Sequence, residues 1–401
     1  MTRETCSACG HGGLEQFLDL GTSPIADAYT DTKEESFALE RYPLQVAVCN
    51  KCWLVQLLEV LPTEMLFGTG YSFYTSASPP LSQYHADYAA DVLALYPNLA
   101  HDGVLEIGCN DGDLLRHFAL AGCHTVGVDP ATGPVEVARQ RSLDVRVRPF
   151  SKAFAEDLLE LNGPFPLVIA NHVLAHVADV SDMLAGISAV LAPHGVAMIE
   201  VQYLPDLLVN NAFDLVYHEH RNFFSLSSLE AAAARHDLNL ADVTFTSRQG
   251  GSIRATFNKH PVRYSVGERL RATESWLQTS GPYEGFQGRV ERIRDRLWVL
   301  MSDERRRNNL IGGYGAPAKA TTLLNFCHLT DDDLEFIVDS TPAKQGRYVP
   351  GTGIRIIEPD RASMDLDTYL LLAWNYISEI LHREEPHTNR WIVPIPAPVL
   401  I

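Results

Sequence analysis

Within Val216–Phe224, the four consecutive residues Tyr217, His218, Glu219 and His220 offer a phenol, two imidazoles and a carboxylate. An imidazole with its ordinary pKa of about 6.5 accepts a proton near neutral pH. A carboxylate beside it can orient the ring, and a phenol can donate a hydrogen bond to a developing oxyanion. His220 is therefore the candidate base, Glu219 its orienting carboxylate or an alternative base, and Tyr217 the candidate oxyanion donor. The arrangement needs a turn, because in an extended chain Tyr217 and Glu219 would face one side and His218 and His220 the other. A polar surface turn with idle histidines is the competing account. A second pair, His172 and His176, follows Asn171. If a helix starts there, the two rings share one face. No third metal ligand is evident, so the reading is one catalytic or substrate-contacting histidine.

These side chains need a frame, and its starting point is Val104–Leu115. The apolar run Val104-Leu105-Glu106-Ile107 feeds Gly108-Cys109-Asn110-Asp111-Gly112, and a helical pattern follows. This is the first strand–turn–helix unit of a nucleotide-binding α/β sheet, with glycines where the backbone comes close to a ligand. The third glycine of a dinucleotide fingerprint is missing. Glu106 sits at the strand end, and Asp129 ends the next apolar run. A carboxylate at the end of the second strand suits a ribose diol. One beside the turn suits a cation better than a diphosphate. S-adenosylmethionine, with its sulfonium, amino group and ribose, fits that pair. Glu106, Gly108, Asn110, Gly112 and Asp129 are the candidate cofactor residues. Asn171 joins them, at the carboxyl edge of the sheet where ligands of such folds bind.

Strands are expected over 104–108, 125–129, 145–147, 167–171 and 196–201, with helical segments between them and a helix over 81–100 before them. The later runs 240–246 and 252–258 read as an antiparallel pair across Ser247-Arg248-Gln249-Gly250-Gly251. Five parallel strands closed by such a hairpin is the layout of a class I S-adenosylmethionine-dependent methyltransferase, a Rossmann-like α/β fold. The aromatic, Gly- and Ser-rich stretch from Phe67 to Pro80 either covers a ligand or staples neighbouring lobes together.

Beyond a helix-rich segment at 264–309, Leu310–Tyr314, Gly315 and the run from Pro317 repeat strand, glycine turn and helix. A second strand over 334–339 leads into the basic run Ser340–Arg347, and a third is expected over 368–374. This second Rossmann-like domain can hold a phosphate at a helix N-terminus with Lys319 close by. Gly315, Lys319 and Lys344, with Arg254 from the hairpin, are the candidates for binding a nucleotide diphosphate. A packing domain with a purely structural turn is the alternative, since the turn alone is a weak signal.

Cys6-Ser7-Ala8-Cys9 and Cys49-Asn50-Lys51-Cys52 are two C-x-x-C knuckles. Cys6, Cys9, Cys49 and Cys52 can close a tetrahedral shell around one Zn²⁺. Four thiolates leave no open position, so the ion is read as structural, holding a lobe too small for its own core. A small insert must lie between the knuckles. The remaining cysteines, Cys109, Cys123 and Cys327, read as small buried residues.

Composition sets the outer limits. At 401 residues the chain exceeds one ordinary domain. A net charge of −18 argues against nucleic acid as a partner. No apolar run reaches the roughly 18 residues of a membrane span, and the first residues lack a signal-peptide pattern. A cytoplasmic location is expected, where paired cysteines hold metal more often than they form disulfides. The expected division is 1–68 for the zinc lobe, 69–262 for the cofactor domain and 263–401 for the helical linker with the C-terminal domain.

In this order, the C-x-x-C pairs, E-I-G-x-N-D-G, N-H-V-L-A-H, Y-H-E-H-R-N-F-F and G-Y-G-A-P-A-K make the chain resemble the nucleotide-deoxysugar C-methyltransferases. The pattern is most similar to the C-3 methyltransferases that make branched sugars such as tetronitrose, and it covers essentially the whole chain. The resemblance implies S-adenosylmethionine, a structural zinc and a C-terminal domain that shares the sugar nucleotide. It also implies active-site roles for Tyr71, His176, Tyr217, Glu219 and His220, with no departure at these positions. The implied reaction adds a methyl group to C-3 of a TDP-4-keto-deoxysugar in antibiotic biosynthesis, after a base removes the C-3 proton. C-5 methylation, or O- or N-methylation in a natural-product pathway, stays open at this point, as do the sugar and the nucleotide base. A monomer or weak homo-oligomer is expected.

Overall fold

The insert between the two cysteine knuckles forms two long strands of a sheet. The computed structural model describes residues 2–67, 73–97, 103–246, 250–260, 271–359, 366–384 and 389–401. Strands β1 (Leu14–Ser23), β2 (Tyr42–Cys49) and β3 (Val55–Leu57) pair antiparallel. The connection from β1 to β2 carries a short helix, Lys33–Ala38, started by a Thr32/Glu35 capping box. The fourth strand of this sheet is Asn222–Phe223, which directly follows the Tyr217–His220 segment and pairs with β3. The lobe closes no core of its own. Cys6, Ala8, Cys49 and Leu54 join the apolar cluster of the middle domain. Leu18, Leu44, Val46 and Leu57 join a cluster that includes Leu323, Leu324 and Ile354 far down the chain. Each half of the lobe is thus buried against a different neighbour.

The middle of the chain begins with the helix Pro79–Leu95, where Pro79 and Pro80 occupy the first turn that tolerates missing N–H groups. Strands β4 (Val104–Ile107), β5 (Thr125–Asp129), β6 (Val145–Val147), β7 (Phe165–Asn171) and β8 (Leu191–Gln202) run parallel. β9 is the Asn222–Phe223 strand of the lobe sheet. β10 (Asn239–Thr246) and β11 (Ser252–Asn258) form the antiparallel hairpin, with β11 on β8. The spatial order is β10-β11-β8-β7-β4-β5-β6. Both faces of the inner strands are covered, which is why β4 reads as an unbroken buried run instead of alternating. β7 and β8 start earlier than the sequence indicates, because Phe165 pairs with Leu191 across an irregularity in register.

A long amphipathic helix, Phe286–Arg306, precedes the last sheet. Strand β12 (Ile311–Tyr314), the helix Ala318–Phe326, β13 (Ile337–Val338), β14 (Ile356–Ile357) and β15 (Thr368–Leu371) follow. The helix Ile377–Glu384, β16 (Arg390–Val393) and β17 (Val399–Leu400) complete the domain. The order is β14-β13-β12-β15-β16-β17, parallel except for the last pair. No described helix is long and apolar enough to cross a membrane.

Candidate active site

The four knuckle cysteines converge. Their sulfurs lie within 4.8 Å of one another, with Cys6–Cys52 at 3.5 Å and Cys9–Cys49 at 3.6 Å. A tetrahedral ion with Zn–S bonds of about 2.3 Å sets its sulfurs about 3.8 Å apart, so the cluster has the dimensions of a zinc shell. Disulfides would need sulfurs at about 2.05 Å. The lobe reaches the active-site segment directly. Ser7 donates to Asn222 Oδ1 at 2.8 Å, Leu57 N–H to the Arg221 carbonyl at 2.9 Å, and Gln56 Oε1 accepts from Ser7 N–H and Arg3.

At the carboxyl end of β4 the chain turns through Gly108, whose φ is +71° and whose missing Cβ would stand 2.2 Å from Val173 Cγ2. The glycine therefore allows the loop after β7 to approach as well as any ligand. Gly112 packs against Leu143. Asp129 Oδ2 accepts from Asn110 N–H at 2.9 Å and Oδ1 from Ala131 N–H at 2.8 Å, which fixes its carboxylate at the rim of the turn. Glu106 is buried, and its Oε2 has no hydrogen-bond partner among the described residues. Burial first, then the carboxylates of Asp129, Asp113 and Asp111, raise its pKa well above the usual range. Such a group calls for a cation. The sulfonium and amino group of S-adenosylmethionine answer that demand, and the outer lone pairs of Asp129 suit its ribose. The side chain of Asn110 is committed elsewhere, between the Phe73 carbonyl and Thr75 N–H, so only its backbone faces the turn.

Two acids that the sequence reading passed over secure this cradle. Asp111 accepts from Thr75 Oγ1 and Ser76 Oγ at 2.5 Å each, and Asp113 from Ser82 Oγ, His85 and Arg116. They bind the start of the Pro79–Leu95 helix across the glycine turn. The D-G-D spacing was visible, but its partners thirty positions upstream were not. Tyr71 lies outside the described residues.

The segment after β7 is a turn, not the start of a helix, so His172 and His176 part. His172 takes a left-handed φ of +55° and sends Nε2 to Glu200 Oε1 at 3.1 Å. Glu200 is buried on β8 and also holds Tyr84 and Arg254, each within 2.9 Å. Burial alone would raise its pKa, but His172 and then Arg254 outweigh that and hold it at about 2. Arg254, stacked 3.6 Å over the Tyr88 ring, is thus spent inside this network. Asn171 keeps both amide atoms buried and unpartnered among the described residues, at the edge of the same crevice.

His176 turns the other way. Its Nδ1–H donates to the Glu219 carbonyl at 2.6 Å, and its ring lies 5.0 Å from that of His220. His220 Nδ1 faces the Leu215 carbonyl at 2.9 Å, so Nδ1 carries the proton and Nε2 the lone pair. The Tyr217 hydroxyl donates to that Nε2 at 2.7 Å. Burial lowers the pKa of His176 to about 4, and burial with the His176 charge pushes His220 well below its usual value. Glu219 does not orient His220; the Leu215 carbonyl does. Neither carboxyl oxygen of Glu219 has a side-chain partner among the described residues; burial, reinforced by the Asp27 charge, raises its pKa to about 8 against the opposing pull of the Glu219 and Asp27 backbone N–H groups. At neutral pH it is a carboxylic acid with a proton to donate. His218 points away, to the Pro43 carbonyl.

The C-terminal domain carries the second glycine turn. Gly315 has φ +80°, and a Cβ there would meet Ala373 at 2.7 Å. Ala316 N–H donates to Asp339 Oδ2 at 2.6 Å, and Thr341 N–H to Asp339 Oδ1 at 2.7 Å. This repeats the Asp129 arrangement at the end of the equivalent strand. The Ala316 carbonyl accepts from Lys344 Nζ and Tyr29 OH, both at 2.8 Å. Tyr29 and Asp27 come from the segment after β1, which the sequence reading did not single out. The charges of Asp27, Asp339, Glu219 and Tyr217 all act on the buried Tyr29 phenol, so these groups lie near one another where lobe, middle domain and C-terminal domain meet. Lys319 is turned into the interior. It is buried against Asp214 Oδ2 at 3.4 Å and lies 3.8 Å over the Trp374 ring.

A seven-stranded sheet of this order, with an acid-lined glycine turn and a four-cysteine lobe in front of it, defines a class I S-adenosylmethionine-dependent methyltransferase with a structural zinc. Family models agree along the chain: a zinc binding domain over residues 6–67, a methyltransferase domain over 81–243 and a C-methyltransferase C-terminal domain over 247–396. The C-methyltransferase NovU of Streptomyces niveus is 35% identical over 99% of this chain and 97% of its own. This chain belongs to that family of C-methyltransferases. A ubiquinone biosynthesis O-methyltransferase of Azorhizobium caulinodans is also 35% identical, but over only 24% of this chain and 38% of its own. Among solved structures, magnesium protoporphyrin IX methyltransferase from Synechocystis with bound SAH aligns with 49% of this chain and 92% of its own, at 17% identity and a TM-score of 0.36.

Proposed function

We propose that this C-methyltransferase methylates C-3 of a TDP-4-keto-deoxysugar by way of an enolate. The observation that carries the reading is a buried, neutral His220 imidazole bound to the Tyr217 phenol, next in sequence to Glu219, whose carboxyl burial holds protonated. Carbon methylation needs a carbon nucleophile, and a ketone supplies one when its neighbouring C–H is deprotonated. The substrate carbonyl would displace the Tyr217 hydroxyl from His220 Nε2 and accept that hydroxyl's hydrogen bond instead. Nε2, now free, takes the C-3 proton, and the C–H electron pair forms the C-3–C-4 double bond while charge moves onto the C-4 oxygen. Glu219, as a carboxylic acid, donates a second hydrogen bond to that oxygen. His176, held by the Glu219 carbonyl, positions the sugar beside the imidazole.

When bound, S-adenosylmethionine supplies an electrophilic methyl group for the carbon nucleophile. Glu106, the Gly108–Gly112 turn, Asp129 and Asn171 would hold it. The nucleotide part of the substrate would lie on the Gly315 turn with Lys344 nearby, and Asp339 would face the single 3′-hydroxyl of its deoxyribose. NovU's place among C-methyltransferases supports methylation at carbon. Incubation with ¹³C-methyl-labelled S-adenosylmethionine and a panel of TDP-4-keto sugars tests the proposal. NMR should show a carbon-bound methyl on C-3. A methyl on oxygen, on nitrogen or at C-5 overturns it.

A further inference from the structure

The sequence points to Lys319 as a phosphate ligand, yet its ammonium is sealed inside the interface between the middle and C-terminal domains. Its relative exposure is 6%. Its partner Asp214 lies in the short turn Phe213–Leu215, and Trp374 Nε1–H donates to the same Asp214 oxygen at 2.6 Å. Lys319 also lies over the Trp374 ring, so the three side chains close on one another. One helical turn on, Thr322 Oγ1 donates to the Val216 carbonyl at 2.8 Å. The residue between Asp214 and Val216 is Leu215, whose carbonyl receives the Nδ1–H of His220. Tyr217 follows immediately. Lys319, Thr322 and Trp374 thus fasten Asp214 and Val216, on either side of the one backbone carbonyl that sets the tautomer of the proposed base.

We propose that Lys319 is a positioning residue: by clamping Asp214 with Trp374 it holds the Leu215 carbonyl on His220 Nδ1 and so keeps the Nε2 lone pair toward Tyr217 and the substrate. This rests on the role proposed above for His220. Without the clamp the Phe213–Leu215 turn loses its only charged anchor among the described residues, and the imidazole can take its other tautomer. In that form Nε2 carries a hydrogen and cannot accept one.

Three proteins test this: the wild type, Lys319→Met, and Trp374→Phe, which keeps an aromatic ring but deletes the N–H bonded to Asp214. The first readout is the ¹⁵N spectrum of histidine-labelled protein, with His220 assigned by its absence in His220→Asn. The second is the separation of kcat from KM for the sugar nucleotide, on proteins whose thermal melting shows them folded. Wild-type His220 should be Nδ1–H. Lys319→Met should show mixed tautomers, with kcat lowered in proportion to the share of His220 that leaves the Nδ1–H form and KM within about twofold. Trp374→Phe should move both readouts in the same direction by less, and it carries the test if Lys319→Met does not fold. A tens-fold rise in KM at constant kcat would instead make Lys319 a phosphate ligand and overturn the proposal. An unchanged tautomer with unchanged kcat in both variants also overturns it. If His220 is not the base, His220→Asn keeps its activity while the tautomer of Lys319→Met still changes, so the two failures are told apart.

Discussion

Glu219→Gln is the sharpest single-residue perturbation the site offers. Its carboxyl titrates at about 8, because burial and the neighbouring Asp27 disfavour the anion. Such a group is about 90% protonated at pH 7 and about 10% protonated at pH 9. If the protonated form donates to the C-4 oxygen, kcat should fall about ninefold between those pH values as the donor is lost. His176 and His220 do not contribute to that limb, since burial keeps both deprotonated throughout it. Lys319, lowered by burial to about 8, titrates in the same range, so the limb must be assigned by substitution. Glutamine keeps a donor of similar shape but cannot ionise. Glu219→Gln should therefore retain measurable turnover at pH 7 and flatten the alkaline limb. Stopped-time product assays by mass spectrometry from pH 6 to 9.5, at saturating substrates, give both numbers. If the limb persists in Glu219→Gln, the titrating group is another and the reasoning about Glu219 fails. If Glu219→Gln abolishes proton removal while His220→Asn preserves it, Glu219 is the base and the two roles are exchanged.

Asp129→Ala should weaken S-adenosylmethionine binding by one to two orders of magnitude in calorimetry, the worth of about 1.5–3 kcal/mol for a charged hydrogen bond; an unchanged Kd refutes the ribose assignment. Affinity for S-adenosylmethionine should also rise with pH, because Glu106 has its pKa raised by burial and must release a proton to face a cation; a flat profile would mean that it never does. Elemental analysis should find one zinc per chain. Chelation or Cys49→Ser should disturb the active-site segment as well as stability, read as lost hydrogen-exchange protection at residues 221–224, because β3 pairs with that strand. Gly108→Ala should lower Tm, since it combines a left-handed φ with a Cβ only 2.2 Å from Val173. A Tm equal to that of the wild type would show that the loop after β7 yields freely.

The parallel strands, the glycine turn and the zinc knuckles were legible because each rests on local pattern or fixed spacing. Tyr217 and His220 stood out by residue type, and the turn that brings their side chains together was one of the arrangements their spacing allowed. What was hidden depends on contacts between distant segments. Arg254 looked like a free cation, but only the pairing of β11 with β8 shows that Glu200 holds it. Lys319 follows a glycine turn as a phosphate ligand would, yet the packing of its helix on Phe213–Leu215 turns it inward. Glu219 lies next to His220 in sequence, and that closeness misled: the turn sends its carboxyl toward Asp27, whose segment arrives from the zinc lobe. The tie between the lobe's sheet and the active-site segment was hidden because its last strand comes from residues 222–223.

The central claim is that carbon acidity precedes methyl transfer, and hydrogen exchange tests it most directly. The enzyme, a TDP-4-keto-deoxysugar and S-adenosylhomocysteine in deuterated water contain everything for proton removal and nothing to transfer. NMR should show deuterium entering C-3 at a rate that falls about 10²–10⁴-fold in His220→Asn, the usual contribution of a general base, while both ligands still bind. No exchange with a substrate that the enzyme methylates, or exchange that His220→Asn leaves untouched, would contradict the account.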